Sequence, residues 1–140
     1  MAQLQLKIVS QERQLINEVA SSVNVPTTEG EITVLPRHIS LFATLQEGIV
    51  RYTDTTDTEQ MLVISKGFIN VDPTNTVTIM IDSAVQAREI STDQAKAAVE
   101  AAKQRVSRDT ADVEELLRAE AELRYALLQL KVAEQSKRGR

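Results

Sequence analysis

Residues 61–81 read MLVISKGFINVDPTNTVTIMI, three short apolar runs separated by two turns. The runs 61–65, 67–71 and 76–81 have the length and the β-branched content of strands, and DPTN at 72–75 is rich in turn residues. Strands spaced this closely leave no room for a crossover helix between them. The stretch therefore favours an antiparallel β-sandwich or barrel over an α/β sheet.

The pattern of short β-type runs continues towards the N-terminus. Apolar residues alternate with polar ones over 4–8, Val23 and Val25 precede Pro26, and further β-type runs cover 32–35 and 48–53. No segment with helical periodicity occurs before about residue 90. We therefore predict a mainly β plus α protein, in which residues 1–90 form a β-sandwich of about ten strands.

From Ser91 the period becomes helical. Ser91 and Gln94 form a capping-box pattern, followed by a small-residue stripe of Ala95, Ala98, Val99, Ala102 and Val106. After the polar break 107–112, Asp112 is placed to cap a second helix that runs to about Ser136. Its apolar residues occupy two adjacent faces, Leu116, Leu123, Leu127 and Leu130 on one and Leu117, Ala121, Leu128 and Val132 on the other. Residues 91–140 are thus predicted to form an antiparallel helical hairpin in which the leucines pack on the small stripe.

Composition excludes several classes of function. Aromatic residues make up only 3% of the chain and the net charge is −4, which disfavours base stacking and phosphate binding, so no nucleic-acid partner is expected. Cysteine is absent, and no window is apolar enough to insert directly into a membrane. Charge is uneven, with 6 basic and 11 acidic side chains in residues 1–91 against 10 and 9 in residues 92–140.

Two features invite a chemical interpretation. His38, the only histidine, is either a catalytic base or part of a loop that fits a partner, and it lacks a second imidazole or a cysteine for a metal site. Glu29 and Glu31 are suited to acid–base work in principle, but acids on a turn-to-strand edge are usually only solvated. No nucleophile elbow, P-loop or dinucleotide fingerprint occurs. We predict that the chain is not an enzyme and holds no metal.

The second helix begins acidic and ends basic. This pattern is typical of a helix whose charges complement its macrodipole. It also fits a basic tip that docks on an acidic surface, because Arg124, Lys131 and Arg138 are seven residues apart and share a stripe.

Two segments resemble a known family. TEGEITVLPRHISLFATLQEGIV (28–50) and SKGFINVDPTNTVTIMIDSA (65–84), followed by the two helices, are similar to the epsilon subunit of F-type ATP synthases over essentially the whole chain. Thr33, Arg37 and Lys66 stand where that family usually has glycine, and Ile39-Ser40 stands for Ala-Pro. Because glycine tolerates backbone angles that are costly for other residues, a local change in the turn at Arg37 is expected.

The resemblance implies a non-catalytic subunit of the proton-translocating rotary motor, in the central stalk. It implies binding to the gamma subunit and to the ring of c subunits, with Glu29, Glu31, Arg37 and His38 as the ring-docking residues. It also implies a peripheral position on the cytoplasmic face of the bacterial inner membrane, or alternatively on the stromal side of a thylakoid.

For the hairpin, the resemblance implies inhibition of ATP hydrolysis. Extended from the sandwich about a hinge from Asp82 to Ser91, it would contact the beta (and alpha) subunits of the catalytic head. The expected cations are Arg108, Arg118, Arg124 and Lys131. Some relatives bind ATP at the start of the first helix. Here the matching stretch is ISTDQAKAA (90–98), and its motif positions are Ile90, Ser91, Gln94, Ala95 and Lys96. At two of these positions the residue differs from the family motif: Ser91 replaces the acid and Gln94 replaces the cation. ATP binding is therefore expected to be weak or absent.

Two other functions stay open. A nucleotide-sensing regulator would need the replaced motif to bind. An adaptor would combine a β-sandwich binding module with a partner-recruiting helical tail.

Overall fold

The computed structural model describes residues 3–38, 40–107 and 112–138, and at residues 88 and 136–138 it describes the backbone alone. Nine strands, one short 3-10 helix and two α-helices occur in this part of the chain. The strands are β1 (Leu4–Val9), β2 (Gln14–Thr27), β3 (Gly30–Val34), β4 (Leu41–Leu45), β5 (Gly48–Asp54), β6 (Glu59–Ile64), β7 (Gly67–Val71), β8 (Thr76–Ile81) and β9 (Ala84–Gln86). The 3-10 helix is Ala87–Glu89, and the helices are α1 (Thr92–Ser107) and α2 (Val113–Arg138).

The chain divides into two compact units, Met1–Val85 and Gln86–Arg140. The first unit is the predicted β-sandwich, and the second contains the two packed helices that were also predicted. Strands β4 and β9 and the first half of β2 were missed because they are short or interrupted by polar residues.

The sandwich is built around the long strand β2. The strand order is β1-β8-β7-β4-β2-β5-β6-β9, with β3 beside β2 and a further pairing of β1 with β2. The first half of β2 pairs with β1, and its second half pairs with β3 and β5, so β2 belongs to both layers. Among strands β1 to β8 the pairings are antiparallel, except that β1 and β8 run parallel.

The core of the first unit is aliphatic, as the composition indicates. Leu6, Ile8, Val23, Val25 and Ile79 are fully buried, and each occupies an alternate position of its strand. The core draws on strands from both layers, and all of its members lie between residues 4 and 84.

The helices of the second unit pack through small residues. On α1 the buried residues are Ala95, Val99 and Ala102. On α2 the buried residues include Ala119, Ala126 and Ala133, which recur every seven residues and share one face. Arg105 of α1 forms an ion pair with Glu122 of α2.

The predicted leucine contact is wrong in part. Leu117 and Leu127 are 58% and 44% exposed, whereas Ala119, Ala126 and Ala133 of the same helix are buried. Ala98 of the predicted small stripe is also exposed. Alanine on both helices permits a closer backbone approach than leucine does, and this places part of the leucine face outside the contact.

Candidate functional site

The outer face of strands β4 and β7 carries two exposed aromatic side chains. Leu41, Ala43 and Ile69 point towards the core, so alternation turns Phe42 and Phe68 outward. Phe42 is 64% exposed and Phe68 is 46% exposed. Their rings stack with centroids 5.7 Å apart and an interplanar angle of 22°. Burying this pair against a partner would remove far more apolar surface from water than burying a single exposed leucine would.

A groove of about 720 Å³ adjoins this aromatic pair, and Phe68 belongs to both. Its apolar lining includes Val9, Leu45 and Met80, and Lys66 and Asp82 also line it. The backbone pairings explain the assembly, because Met80 pairs with Val9 on one side and with Phe68 on the other. The sequence signal for this surface is an aromatic residue at an outward-facing position, normally polar, in each of two strands.

The segment Leu35–His38 forms a tight turn. The carbonyl of Leu35 accepts a hydrogen bond from the backbone N–H of His38 at 3.1 Å. Arg37 adopts φ 67°, and its N–H donates to Oδ1 of Asn75 at 2.6 Å. Arginine therefore takes the left-handed conformation that suits the glycine of related sequences. Thr33, the other replacement of interest, lies in β3 and does not have positive φ.

The four predicted ring-docking residues do not form one cluster. Glu29 and Glu31 lie at the hairpin end of β3, where Gly30 pairs with Thr27. Arg37 and His38 follow the other end of β3. At about 3.3 Å per residue, the strand alone separates the two ends by roughly 13 Å.

The predicted hinge, Asp82 to Ser91, is more ordered than its composition suggests. Ser83 exchanges hydrogen bonds with Ser65, β9 joins the sheet beside β6, and Ile90 N–H donates to the carbonyl of Ala87. Ser91 then caps α1, because its Oγ accepts from the N–H of Gln94 at 3.4 Å.

The remnant of the nucleotide motif lies at the start of α1. Ser91 is occupied as the cap, and Ala95 is buried with only 3% of its surface exposed. Lys96 is exposed and Ile90 is half-buried. Ser91 thus begins helix α1, and Ala95 packs it.

The predicted cations of α2 divide between two faces. Arg118, Arg124 and Lys131 are all exposed. Arg124 and Lys131 share a stripe, but Arg118 points about 120° away from Arg124, since each residue turns the helix by about 100°. Arg108 lies outside the described residues. Asp112 caps α2 as predicted, with its Oδ1 accepting from the N–H of Glu114 at 3.0 Å.

Perturbed carboxylates occur in two turns of the sandwich. Asp54 Oδ1 accepts from the hydroxyl of Thr56 at 2.6 Å and from the N–H of Thr58 at 3.1 Å, and these bonds lower the pKa of Asp54 from 3.8 to about 2. Asp72 makes the same contacts with Thr74 and Thr76, and its pKa is lowered too. Both carboxylates are satisfied locally, so they stabilise turns and are not poised for proton transfer. Within residues 3–38, 40–107 and 112–138, no group of His, Asp and Glu side chains could hold a metal ion.

Comparison with known proteins identifies the family. Residues 3–87 match the family described as ATP synthase, Delta/Epsilon chain, beta-sandwich domain. The chain is also 40% identical over 130 residues to the ATP synthase epsilon chain of Herpetosiphon aurantiacus, covering 93% of each chain. The chain belongs to the ATP synthase epsilon chain family. An epsilon chain is a non-catalytic subunit of ATP synthase, so His38 is not a catalytic base.

Two further comparisons extend over almost the whole chain. The ATP synthase epsilon chain of Dehalococcoides mccartyi (strain BAV1) is 42% identical over 142 residues, covering 99% of this chain and 97% of that one. A chain in the cryo-EM structure of the Euglena gracilis mitochondrial ATP synthase (OSCP/F1/c-ring in rotational state 1) superposes with a TM-score of 0.77 at 27% identity. That match covers 97% of this chain and 82% of the other. In the part of the chain that the structure describes, neither helix is both long and apolar enough to span a membrane.

Proposed function

We propose that the chain is a central-stalk subunit that couples the catalytic head of ATP synthase to its rotating c-ring. The observation that carries this proposal is the exposed apolar surface formed by the Phe42–Phe68 pair and the adjoining groove. A stalk subunit must transmit torque, and rigid transmission needs an extensive apolar contact with its neighbour.

The gamma subunit is the proposed occupant of this apolar surface. The surface crosses four neighbouring strands from β4 to β1, so a partner that covers it holds the rigid sheet and not a loop. Lys66 and Asp82 on the groove supply charges of both signs for orientation.

The c-ring is the proposed partner of the loops that flank β3. Glu29 and Glu31 at one end, and Arg37 and His38 at the other, are too far apart for a single short loop of a partner. A broad surface such as a ring of identical loops can reach both ends. Alternatively, the two ends of β3 bind different subunits of the stalk. Site-directed crosslinking at Glu31 and at His38 would reveal this, because the two positions would then crosslink to different subunits.

The hairpin is the proposed brake on ATP hydrolysis. Extended towards the catalytic head, it would present Arg124 and Lys131 on one stripe, with Arg118 on another face and Arg108 at the connection, to the beta and alpha subunits. An alanine-rich helix surface buries little area per residue, which keeps alternative packings of the hairpin within a few kcal/mol. The proposed hinge is the stretch from Asp82 to Ser91. Because Ser83 and β9 are bonded in the sheet, Ile90 bonds to Ala87 and Ser91 caps α1, extension about this stretch would have to break at least one of these interactions.

ATP is proposed to bind weakly or not at all, because Ser91 serves as a helix cap and Ala95 is buried. The proposed location is peripheral, on the cytoplasmic face of a bacterial inner membrane. The protein would be held there by its partner subunits and not by direct insertion.

Binding to an epsilon-depleted ATP synthase from the same source tests the stalk assignment. Phe42→Ser and Phe68→Ser are expected to weaken binding by about tenfold or more each, as for aromatic residues at the centre of an interface. Val113→Ser is the matched control, since Val113 is 68% exposed in the second unit and lies outside the proposed contact. Unchanged affinity of both phenylalanine variants would refute the assignment of this surface to the gamma subunit.

A further inference from the structure

The Leu35–His38 turn contains a costly backbone conformation. Positive φ occurs at three non-glycine residues of the described chain: Arg37 at 67°, Asp57 at 61° and Asn75 at 62°. Aspartate and asparagine enter this region readily because their short polar side chains bond to the nearby backbone, whereas arginine has no such compensation. Arg37 is therefore the one clear mismatch between residue type and backbone among the three.

The turn does not need an arginine in order to form. Pro36 presets its own φ, the Leu35 carbonyl accepts from the His38 N–H, and the Arg37 N–H is held by Asn75. Proline followed by a residue of positive φ is the pattern of a type II turn, in which glycine is the favoured third residue. Glycine would keep both backbone hydrogen bonds and remove the strain. What arginine adds is its side chain.

That side chain is presented to solvent. Arg37 is exposed beside Leu35, which is itself 55% exposed. Among the described residues, no carboxylate lies within ion-pair distance of the Arg37 guanidinium. The charge is also unusual for its surroundings, since residues 1–85 carry 5 basic and 10 acidic side chains.

We propose that Arg37 is a specificity-determining contact of the stalk assembly, whose guanidinium binds an Asp or Glu side chain on the partner subunit that covers the Leu35–His38 turn. This inference rests on the proposed function and names the chemistry of its partner. An arginine fork forms two parallel hydrogen bonds with a carboxylate, and neighbouring Leu35 favours a protein surface over water. A protein carboxylate is favoured over an anionic lipid headgroup, because the acidic first unit would be repelled by an anionic membrane.

The inference predicts that stability and binding respond in opposite directions. Arg37→Gly is expected to raise the thermal unfolding midpoint of the full-length chain by about 4 °C, because the strain is relieved. The same variant is expected to bind epsilon-depleted ATP synthase about tenfold more weakly, as when one charged partner of an interface is removed. Its affinity should also depend less steeply on salt than that of the wild type.

Two further variants separate strain from charge. Asp57→Gly introduces glycine at another position of positive φ, in the β5–β6 turn and outside the Leu35–His38 turn, and should leave the affinity unchanged. Arg37→Lys keeps the charge but loses the fork, and should bind with intermediate affinity.

The proposal is overturned if Arg37→Gly binds as tightly as the wild type, or if Asp57→Gly weakens binding equally. It is also overturned if Arg37 controls binding to phosphatidylglycerol vesicles but not to the complex, which would indicate a lipid contact. If the wild-type chain itself fails to bind the complex, the proposed function fails, and the contact assigned to Arg37 fails with it.

Discussion

At the scale of single residues, two turns of the sandwich repeat one design. Asp54 and Asp72 each begin a stretch of the form Asp-x-Thr-[Asp/Asn]-Thr. In both, the carboxylate of the first residue accepts hydrogen bonds from two backbone N–H groups and from a threonine hydroxyl. The fourth residue, Asp57 or Asn75, has positive φ. The repeated pattern satisfies the backbone where the strands reverse direction and fixes the register of both hairpins.

These turns predict a defined acid sensitivity. The pKa of Asp54 is lowered to about 2 in the folded protein, so its stabilising contribution is present above its ordinary value of 3.8 and is lost as pH falls through about 2. An asparagine side chain at this position would accept the bonds made to Oδ1 through its carbonyl oxygen without titrating, and would lose only the bond that Oδ2 accepts from Gln60. The unfolding midpoint of Asp54→Asn should therefore fall less between pH 4 and pH 2 than that of the wild type, measured by circular dichroism. An equal fall in both proteins would contradict this assignment.

Some residue-level features were predictable from sequence and others were not. The caps Ser91 and Asp112 were predicted because capping depends on a few adjacent residues. The turn at Arg37 was expected to change, yet arginine accepts the left-handed conformation because Pro36 and Asn75 hold it from both sides. The contribution of Asn75 comes from 38 residues away in sequence, and no local pattern contains it.

At the scale of elements, the pairing of β7 with β8 depends on a glycine. A Cβ atom at Gly67 would lie 2.1 Å from the Met80 carbonyl oxygen and 2.7 Å from Cγ2 of Ile81. Backbone cannot yield as a flexible side chain does, so Gly67→Ala should destabilise the sandwich by about 2 kcal/mol or more. Lys66→Ala is the control, because Lys66 is exposed and its loss should change the free energy of unfolding by less than about 0.5 kcal/mol. Equal urea midpoints for the two variants would show that the close contact at Gly67 does not destabilise the alanine variant, and would contradict this prediction.

The hairpin predicts a second contrast between neighbours. Ala126 is buried and Leu127 is 44% exposed, so the smaller residue occupies the tighter position. Ala126→Leu should overpack the helix contact and destabilise the second unit by about 1–3 kcal/mol. Leu127→Ala should cost less than that, because a half-exposed leucine contributes correspondingly little. Thermal loss of helical circular dichroism measures both, and the reverse order would mean that the leucines form the helix contact.

Periodicity gave the elements but not their pairing. The strands with strict alternation and the two helices were predicted, since their signals are local. The double membership of β2, and the leucines left outside the helix contact, depend on tertiary packing. The apolar surface at Phe42 and Phe68 was missed because the two aromatics are 26 residues apart, and only the pairing of β4 with β7 brings them together.

At the scale of the whole molecule, the two units suit two separate tasks. The core of the sandwich uses only residues between 4 and 84, so this unit is expected to fold without the hairpin. The second unit carries exposed cations on α2, and its two helices pack through small residues on another face. We therefore expect binding to the stalk to reside in the first unit and inhibition in the second.

The rate of ATP hydrolysis by an epsilon-depleted ATP synthase from the same source tests this division most directly. It would be titrated with the full chain and with residues 1–85, and binding of each would be measured in parallel. We predict that both bind, that the full chain slows hydrolysis, and that the fragment leaves the rate unchanged. Equal inhibition by the fragment, or binding of both without any inhibition, would contradict the proposed brake, and failure of both to bind would contradict the stalk assignment itself.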